Sequence, residues 1–182
     1  WVAGHEGVST GLHRTADGRW LASIGVDRRL RLWDLSKVNA SLNSAAPVAD
    51  AGTLSTSFFG HDASLTAVAI RGDGNLLATA DQTGRIRLWS PFLEQPQGQF
   101  DTGVPIISLA FHSNNQQLFA AGTDGLIRIW QLPASSHRQA GTVELPITHF
   151  AVAKSQSMAI FVSSDQVARV INLDTGEVLR EL

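Results

Sequence analysis

Six histidines and a scatter of carboxylates are the side chains of this 182-residue sequence best suited to acid–base chemistry or metal binding. The histidines are His5, His13, His61, His112, His137 and His149, and no two lie within four residues of each other. The closely spaced pairs that hold zinc from one helix face are therefore missing from the pattern. His5 and His61 could converge as ligands in a ring, but they occupy matching places in a repeat, which favours a structural role. Zero cysteines remove thiolate ligands and redox pairs, and leave the compartment open. Asp27, Asp124 and Asp165 recur at one place in a repeated phrase, as turn residues would, rather than as a catalytic carboxylate pair. Glu6 and Asp62 each follow a Gly-His pair and could meet a basic partner. No glycine-rich loop leads into a helical pattern, so no phosphate cradle is expected.

Five arginines, Arg14, Arg19, Arg28, Arg29 and Arg31, crowd into 18 residues and raise the question of nucleic acid. Strand alternation disperses them, and Arg31 has counterparts in Arg87, Arg128 and Arg169. The expectation is that these stems cover sheet edges while the guanidinium groups reach water. The repeated tryptophans are committed to the repeats, so no exposed aromatic is expected for base stacking. A formal net charge of −2 also speaks against general affinity for nucleic acid or anionic lipid. No apolar run approaches the roughly 18 residues that a membrane-crossing helix needs. With 43% hydrophobic and 16% charged residues, the chain can bury a sizeable core.

The elements that must position these side chains follow from a repeat. Trp89 and Trp130 lie 41 residues apart, as do Trp130 and Ile171, while Trp33 precedes Trp89 by 56. The surplus falls in 36–57, a stretch rich in Ser, Ala and Asn that reads as a loop insertion. Six residues before each marker stand Asp27, Thr83, Asp124 and Asp165. Apolar residues at every second place around the marker describe one face of a strand. Shorter apolar runs lie upstream, with turn-forming Asp17-Gly18, Asp73-Gly74 and Asn114-Asn115 ahead of three of them. Each unit thus supplies about four short strands at the spacing of propeller blades.

Gly4-His5 with Trp33-Asp34, and Gly60-His61 with Trp89-Ser90, both at a His-to-Trp spacing of 28, resemble the WD-repeat β-propeller family. Repeat three departs with Thr102 and Gln131 at the marker positions, and repeat four with Val143 and Ile171. The resemblance implies an all-β propeller of four WD-type blades of four antiparallel strands, part of a seven- or eight-bladed ring. The blade units would be about 4–58, 59–99, 100–142 and 143–182, with "WVAG" as a stub of another outer strand. It also implies a hydrogen-bonded structural set in each blade: His5, Ser23, Asp27 and Trp33; His61, Thr79 and Trp89; and Asp124, Trp130 and Asp165 farther on. In blade two Thr83 replaces the aspartate, which leaves open whether Asp81 takes its part.

The family's usual contact surface is the top rim, which by position would hold Glu6, Val26, Asp62, Gln82, Thr123 and Ser164, with no aromatic or arginine anchor beside them. The expected function is a protein-interaction scaffold within a larger protein, binding proteins or peptides, with no catalytic residue, cofactor, metal, nucleic acid or membrane insertion. The alternatives are a regulatory or sensor domain attached to a catalytic domain outside this chain, and a propeller-based hydrolase or lyase. Four blades of a larger ring would expose blade faces, through which a homodimer could form. The cytoplasm is the favoured compartment.

Overall fold

Alternating apolar residues around each marker do build strands, and hairpin turns join them into four separate four-stranded antiparallel meanders. The computed structural model describes residues 4–36, 54–132, 137–142, 145–153 and 157–182. Blade one comprises β1 (Ser9–Arg14), β2 (Trp20–Gly25), β3 (Leu30–Asp34) and β4 (Leu54–Phe58). Blade two comprises β5 (Leu65–Ile70), β6 (Leu77–Asp81), β7 (Arg85–Trp89) and β8 (Gly98–Asp101). Blade three holds β9 (Ile106–Phe111), β10 (Gln117–Gly122), β11 (Leu126–Gln131) and β12 (His137–Thr142). Blade four holds β13 (Ile147–Val152), β14 (Met158–Ser163), β15 (Ala168–Asn172) and β16 (Val178–Glu181).

The register repeats with the sequence: Leu21 faces Trp33, Leu77 faces Trp89, Leu118 faces Trp130 and Ala159 faces Ile171 across the central strand pair. The turn pairs between first and second strands do what their residue types favour. Gly18, Gly74 and Asn115 take left-handed φ values of 72°, 72° and 62°, while Asp17, Asp73 and Asn114 each accept the amide two residues on.

The blades stack in chain order, β5 against β1 and β2, β9 against β5 and β6, and β13 against β9 and β10. Each junction holds its own core. Ala22, Ala78 and Phe119, at one place in the second strand of successive blades, are buried by the next blade. Ile160, at that place in blade four, is 40% exposed. The indoles look the other way: Trp89 meets Phe58 of the preceding blade at 5.5 Å between ring centroids, and Trp130 stacks on Phe100 at 5.2 Å. Such aromatic pairs add about 0.5–1.5 kcal/mol to the area they bury. Hydroxyls tie the inner strands together, with Thr10 Oγ1 donating to Leu65 O at 2.7 Å and Thr66 Oγ1 to Ile106 O at 2.6 Å.

Two boundaries differ from those expected. The insertion read at 36–57 stops earlier, because Leu54–Phe58 is β4 and pairs with β3, Thr56 opposite Leu32; 37–53 lies outside the described residues, as does most of the "WVAG" stub. The border set between 99 and 100 cuts β8, which continues to Asp101 opposite Arg85.

Candidate functional site

The loop ahead of β1 sets His5 against Ser23 on β2 and Asp27 in the β2–β3 turn. His5 Nδ1 lies 2.8 Å from Asp27 Oδ1 and Nε2 lies 2.8 Å from Ser23 Oγ. Arg31 Nη1 also lies 2.5 Å from Nδ1; with the ring proton on Nδ1 toward the carboxylate, Nε2 accepts from the serine. These are the contacts of a Ser-His-Asp triad. The serine oxygen, however, also accepts the Trp33 indole N–H at 2.9 Å, and Ser23 is 4% exposed. The hydroxyl is thus spent on holding the ring and the indole, and is withheld from a substrate. Asp27 is equally occupied, accepting from Arg31 Nη1 at 2.7 Å and from the amides of Glu6 and Arg29. Burial alone would raise its carboxyl, but hydrogen bonds from Arg31, His5 and these amides outweigh that and hold it at about 2.

Blade two reaches the same arrangement by another route. His61 Nδ1 donates to Asp81 Oδ2 at 2.6 Å, Nε2 lies 2.7 Å from Thr79 Oγ1, and Trp89 Nε1 donates to Thr79 Oγ1 at 2.8 Å. Asp81 does take the part of the absent turn aspartate. Its other oxygen accepts the amide and hydroxyl of Thr83 and the amide of Arg85. The exchange has a steric cause. The place of Asp81 is filled in blade one by Gly25, where an added Cβ would sit 2.8 Å from His5 Cγ and 3.0 Å from Asp27 Oδ1. A carboxylate thus reaches the imidazole either from the turn over a glycine or directly from the end of the strand. Burial lowers the His61 pKa, with Asp81 pulling it back up and the charges of Arg87 and Arg85 adding to the decrease.

Blades three and four do not assemble the set. Thr102 donates to Gly84 O and Val104 O instead of meeting Asp124. Ala120 and Phe161 stand where Ser23 and Thr79 stand, and Trp130 is buried against Phe100. Asp124 pairs with Arg128 at 2.5 Å and Asp165 with Arg169 at 2.7 Å.

This pairing overturns the reading of the repeated arginines. Arg31 and Arg128 are 6% and 8% exposed, folded onto the turn aspartate four residues earlier. A carboxylate held across the hairpin outcompetes water for the guanidinium. Arg87, whose blade lacks that aspartate, instead lies along the sheet, donating to Gln99 Oε1 at 3.2 Å.

The expected rim residues fall at one end of the blades. The amides of Val26, Gln82, Thr123 and Ser164 donate to the carbonyls of Val8, Ser64, Pro105 and Pro146, each just ahead of an inner strand. Asp62 pairs with Arg85 at 2.8 Å and Glu6 with Arg29 at 3.7 Å, both acidic side chains being 78% exposed. The expectation that no aromatic or arginine stands beside them is wrong. Phe59 is 60% exposed on this rim, with the Arg29 guanidinium 4.9 Å above its ring. Phe92, 77% exposed, is a second exposed aromatic, in the β7–β8 turn at the other end. Among the described residues, no group of three or more His, Cys, Asp or Glu is placed to hold a metal.

Comparison with known proteins places these observations. The family described as "WD domain, G-beta repeat" matches residues 2–34, 52–90 and 95–131, well over half of the chain. The Schizosaccharomyces pombe target of rapamycin complex subunit wat1 is 27% identical over 146 residues, covering 79% of this chain and 42% of that protein. The small ribosomal subunit protein RACK1 of Candida albicans is 30% identical over 142 residues, covering 73% of this chain and 40% of that protein. The chain thus spans less than half the length of these curated relatives. The solved β-propeller domain of Cps50 (Swd1) from Myceliophteria thermophila superimposes with a TM-score of 0.79 at 18% identity, covering 98% of this chain and 55% of that one.

Proposed function

Because the chain belongs to the WD-domain, G-beta-repeat family, we propose that it is a protein-docking platform whose contact surface is the rim bearing Glu6, Val26, Asp62, Gln82, Thr123 and Ser164. The observation that carries this reading is the repeated rim bond: four loops, one from each blade, are fixed to the adjoining inner strand by the same backbone hydrogen bond. Loops held this way lose little freedom on binding, which lowers the cost of association. Two of the histidines and the hydroxyls beside them are consumed inside the first two blades, where His5, Ser23, Asp27 and Trp33, and His61, Thr79, Asp81 and Trp89, act as braces. Two relatives, a target of rapamycin complex subunit and a ribosomal subunit protein, bear names that place them in assemblies, which supports protein partners for this chain.

Photo-crosslinking tests the reading. A photoreactive residue at Gln82 or Thr123 should give partner adducts in cell extract, and one at Asp73 or Asn114, at the opposite end of the blades, should give few. Equal yields from the two ends, or substrate turnover abolished by a rim substitution, overturns it.

A further inference from the structure

Blade one carries at its rim a set of side chains that the fold does not require. Phe58 and Phe59 follow one another at the end of β4, so they point to opposite sides, and burying Phe58 leaves Phe59 60% exposed. Arg29, from the β2–β3 turn, lies over that ring at 4.9 Å. Its nearest carboxylate, Glu6, is 3.7 Å away and 78% exposed, a loose pair. Arg28 beside it is exposed and makes no ion pair among the described residues. It holds a φ of 64° at the turn position that blades two and three give to Gly84 and Gly125 and blade four to Gln166. A side chain is disfavoured there, and backbone strain of this kind is retained where it presents something useful. The other charges of the turn are committed, Asp27 to His5 and Arg31. Val26, in the same turn, adds a 40% exposed apolar side chain to this rim.

We propose that Phe59, Val26, Arg28 and Arg29 form a recognition patch for an acidic peptide segment, one carrying an aspartate or glutamate next to a large apolar side chain. The carboxylate takes the free Arg28 fork, which matches it geometrically. The apolar side chain covers Phe59 and Val26, desolvating the Arg29–Phe59 pair, whose attraction grows as water leaves. The patch deepens the rim-docking reading and rests on it. A nucleic-acid ligand fits poorly, because one ring and two cations on a chain of net charge −2 make neither a stacking platform nor a basic track.

The test uses the full chain and labelled synthetic peptides in fluorescence anisotropy. The probes are an acidic peptide with apolar residues, its lysine-for-acid counterpart, an acidic peptide without apolar residues, and a single-stranded RNA oligonucleotide. The first should bind best, more weakly as salt rises, and at least tenfold more weakly to Arg28→Gly and to Phe59→Ala. Arg28→Gly should fold with an unchanged or higher thermal midpoint, since glycine suits that φ, which separates lost recognition from lost structure. Wild-type affinity in both variants, failure of the acidic apolar peptide to bind, or tighter binding of RNA overturns the proposal. If both variants bind like wild type while adducts still form from Gln82 and Thr123, the patch falls and rim docking stands. If Arg28→Gly abolishes peptide binding while adducts arise equally at both ends, the patch stands and rim docking falls.

Discussion

The two routes by which blades one and two brace a histidine can be interchanged. Asp81→Gly should strip blade two of the acceptor for His61 Nδ1, for the amide and hydroxyl of Thr83, and for the Arg85 amide. A buried hydrogen bond to a charged group contributes about 1.5–3 kcal/mol, and the orphaned imidazole N–H costs about 1–3 kcal/mol. Glycine at a strand end costs about 0.5–1 kcal/mol more. These terms overlap, so the expected loss is roughly 3–4 kcal/mol. Thr83→Asp alone should also destabilise, because it sets a second carboxylate where the Thr83 hydroxyl now donates to Asp81 at 2.5 Å. Together the two changes rebuild the arrangement of Gly25 and Asp27, with Arg87 free to pair as Arg31 does, and should restore about 2 kcal/mol relative to Asp81→Gly. Urea unfolding followed by tryptophan fluorescence reads this out. With a slope of about 2 kcal/mol/M, the single glycine variant shifts the midpoint by about 1.5–2 M and the double variant regains about 1 M. A double variant no more stable than Asp81→Gly refutes the exchange.

Three further outcomes follow from the same geometry. Trp33→Ala should cost about 3–5 kcal/mol in chemical denaturation, as a buried aromatic deletion that also frees Ser23; a loss below about 1 kcal/mol would show that the indole is no anchor. Arg31→Leu should cost about 3 kcal/mol by leaving the Asp27 carboxylate under-partnered in a buried site, whereas Arg169→Leu, in a less buried copy of the pair, should lower the midpoint less. Stability should fall in two acid windows. Burial holds His13 and His61 below their usual 6.5, so the unfolded chain takes up protons first, and their contribution is full above that pH and is lost as pH drops through the lowered values. Asp27, at about 2 against an ordinary 3.8, contributes about 2 kcal/mol that disappears between those values. Urea midpoints at pH 8, 5.5 and 2 should descend at each step; a flat profile contradicts the assigned protonation states.

The blades were legible because their information is periodic: one register of alternating apolar residues recurs at 41, and every copy reports on the others. What stayed hidden is not periodic. The ion pairs of Asp27 with Arg31 and of Asp124 with Arg128 cross a hairpin at four-residue spacing, a separation that side-chain rules associate with helices, so nothing in strand alternation announces them. Phe59 was missed for a compounding reason. Its outward direction follows from Phe58 only once β4 is known to be a strand, and "LSTSF", rich in hydroxyls, reads as loop until β3 is seen to pair with it. A signal for Asp81 was present, eight residues before the marker, where Gly25, Asp81, Gly122 and Ser163 alternate between space and substituent. A Cβ at Gly122 would sit 2.5 Å from Asp124 Oδ1, the same conflict as at Gly25, so in blades one and three the glycine and the aspartate two residues later go together, whereas blade four keeps Asp165 beside Ser163.

The same coupling explains how the later blades lose the motif without losing the fold. Removing one partner of a buried hydrogen bond strands the other, whereas replacing both by apolar groups is nearly neutral. Blade four makes the double replacement: Phe161 for the hydroxyl and Ile171 for the indole, both buried in the core shared with blade three. Blade three keeps Trp130 over Ala120 and packs the ring on Phe100 of the blade before, with interplanar angle 26°. Blade four's departures from the repeat therefore form a matched set. A chimera that restores only Ser at Phe161, with Ile171 retained, should be less stable than either the parent or the Phe161→Ser, Ile171→Trp double variant, because the lone hydroxyl would be buried without the indole that gives it a donor.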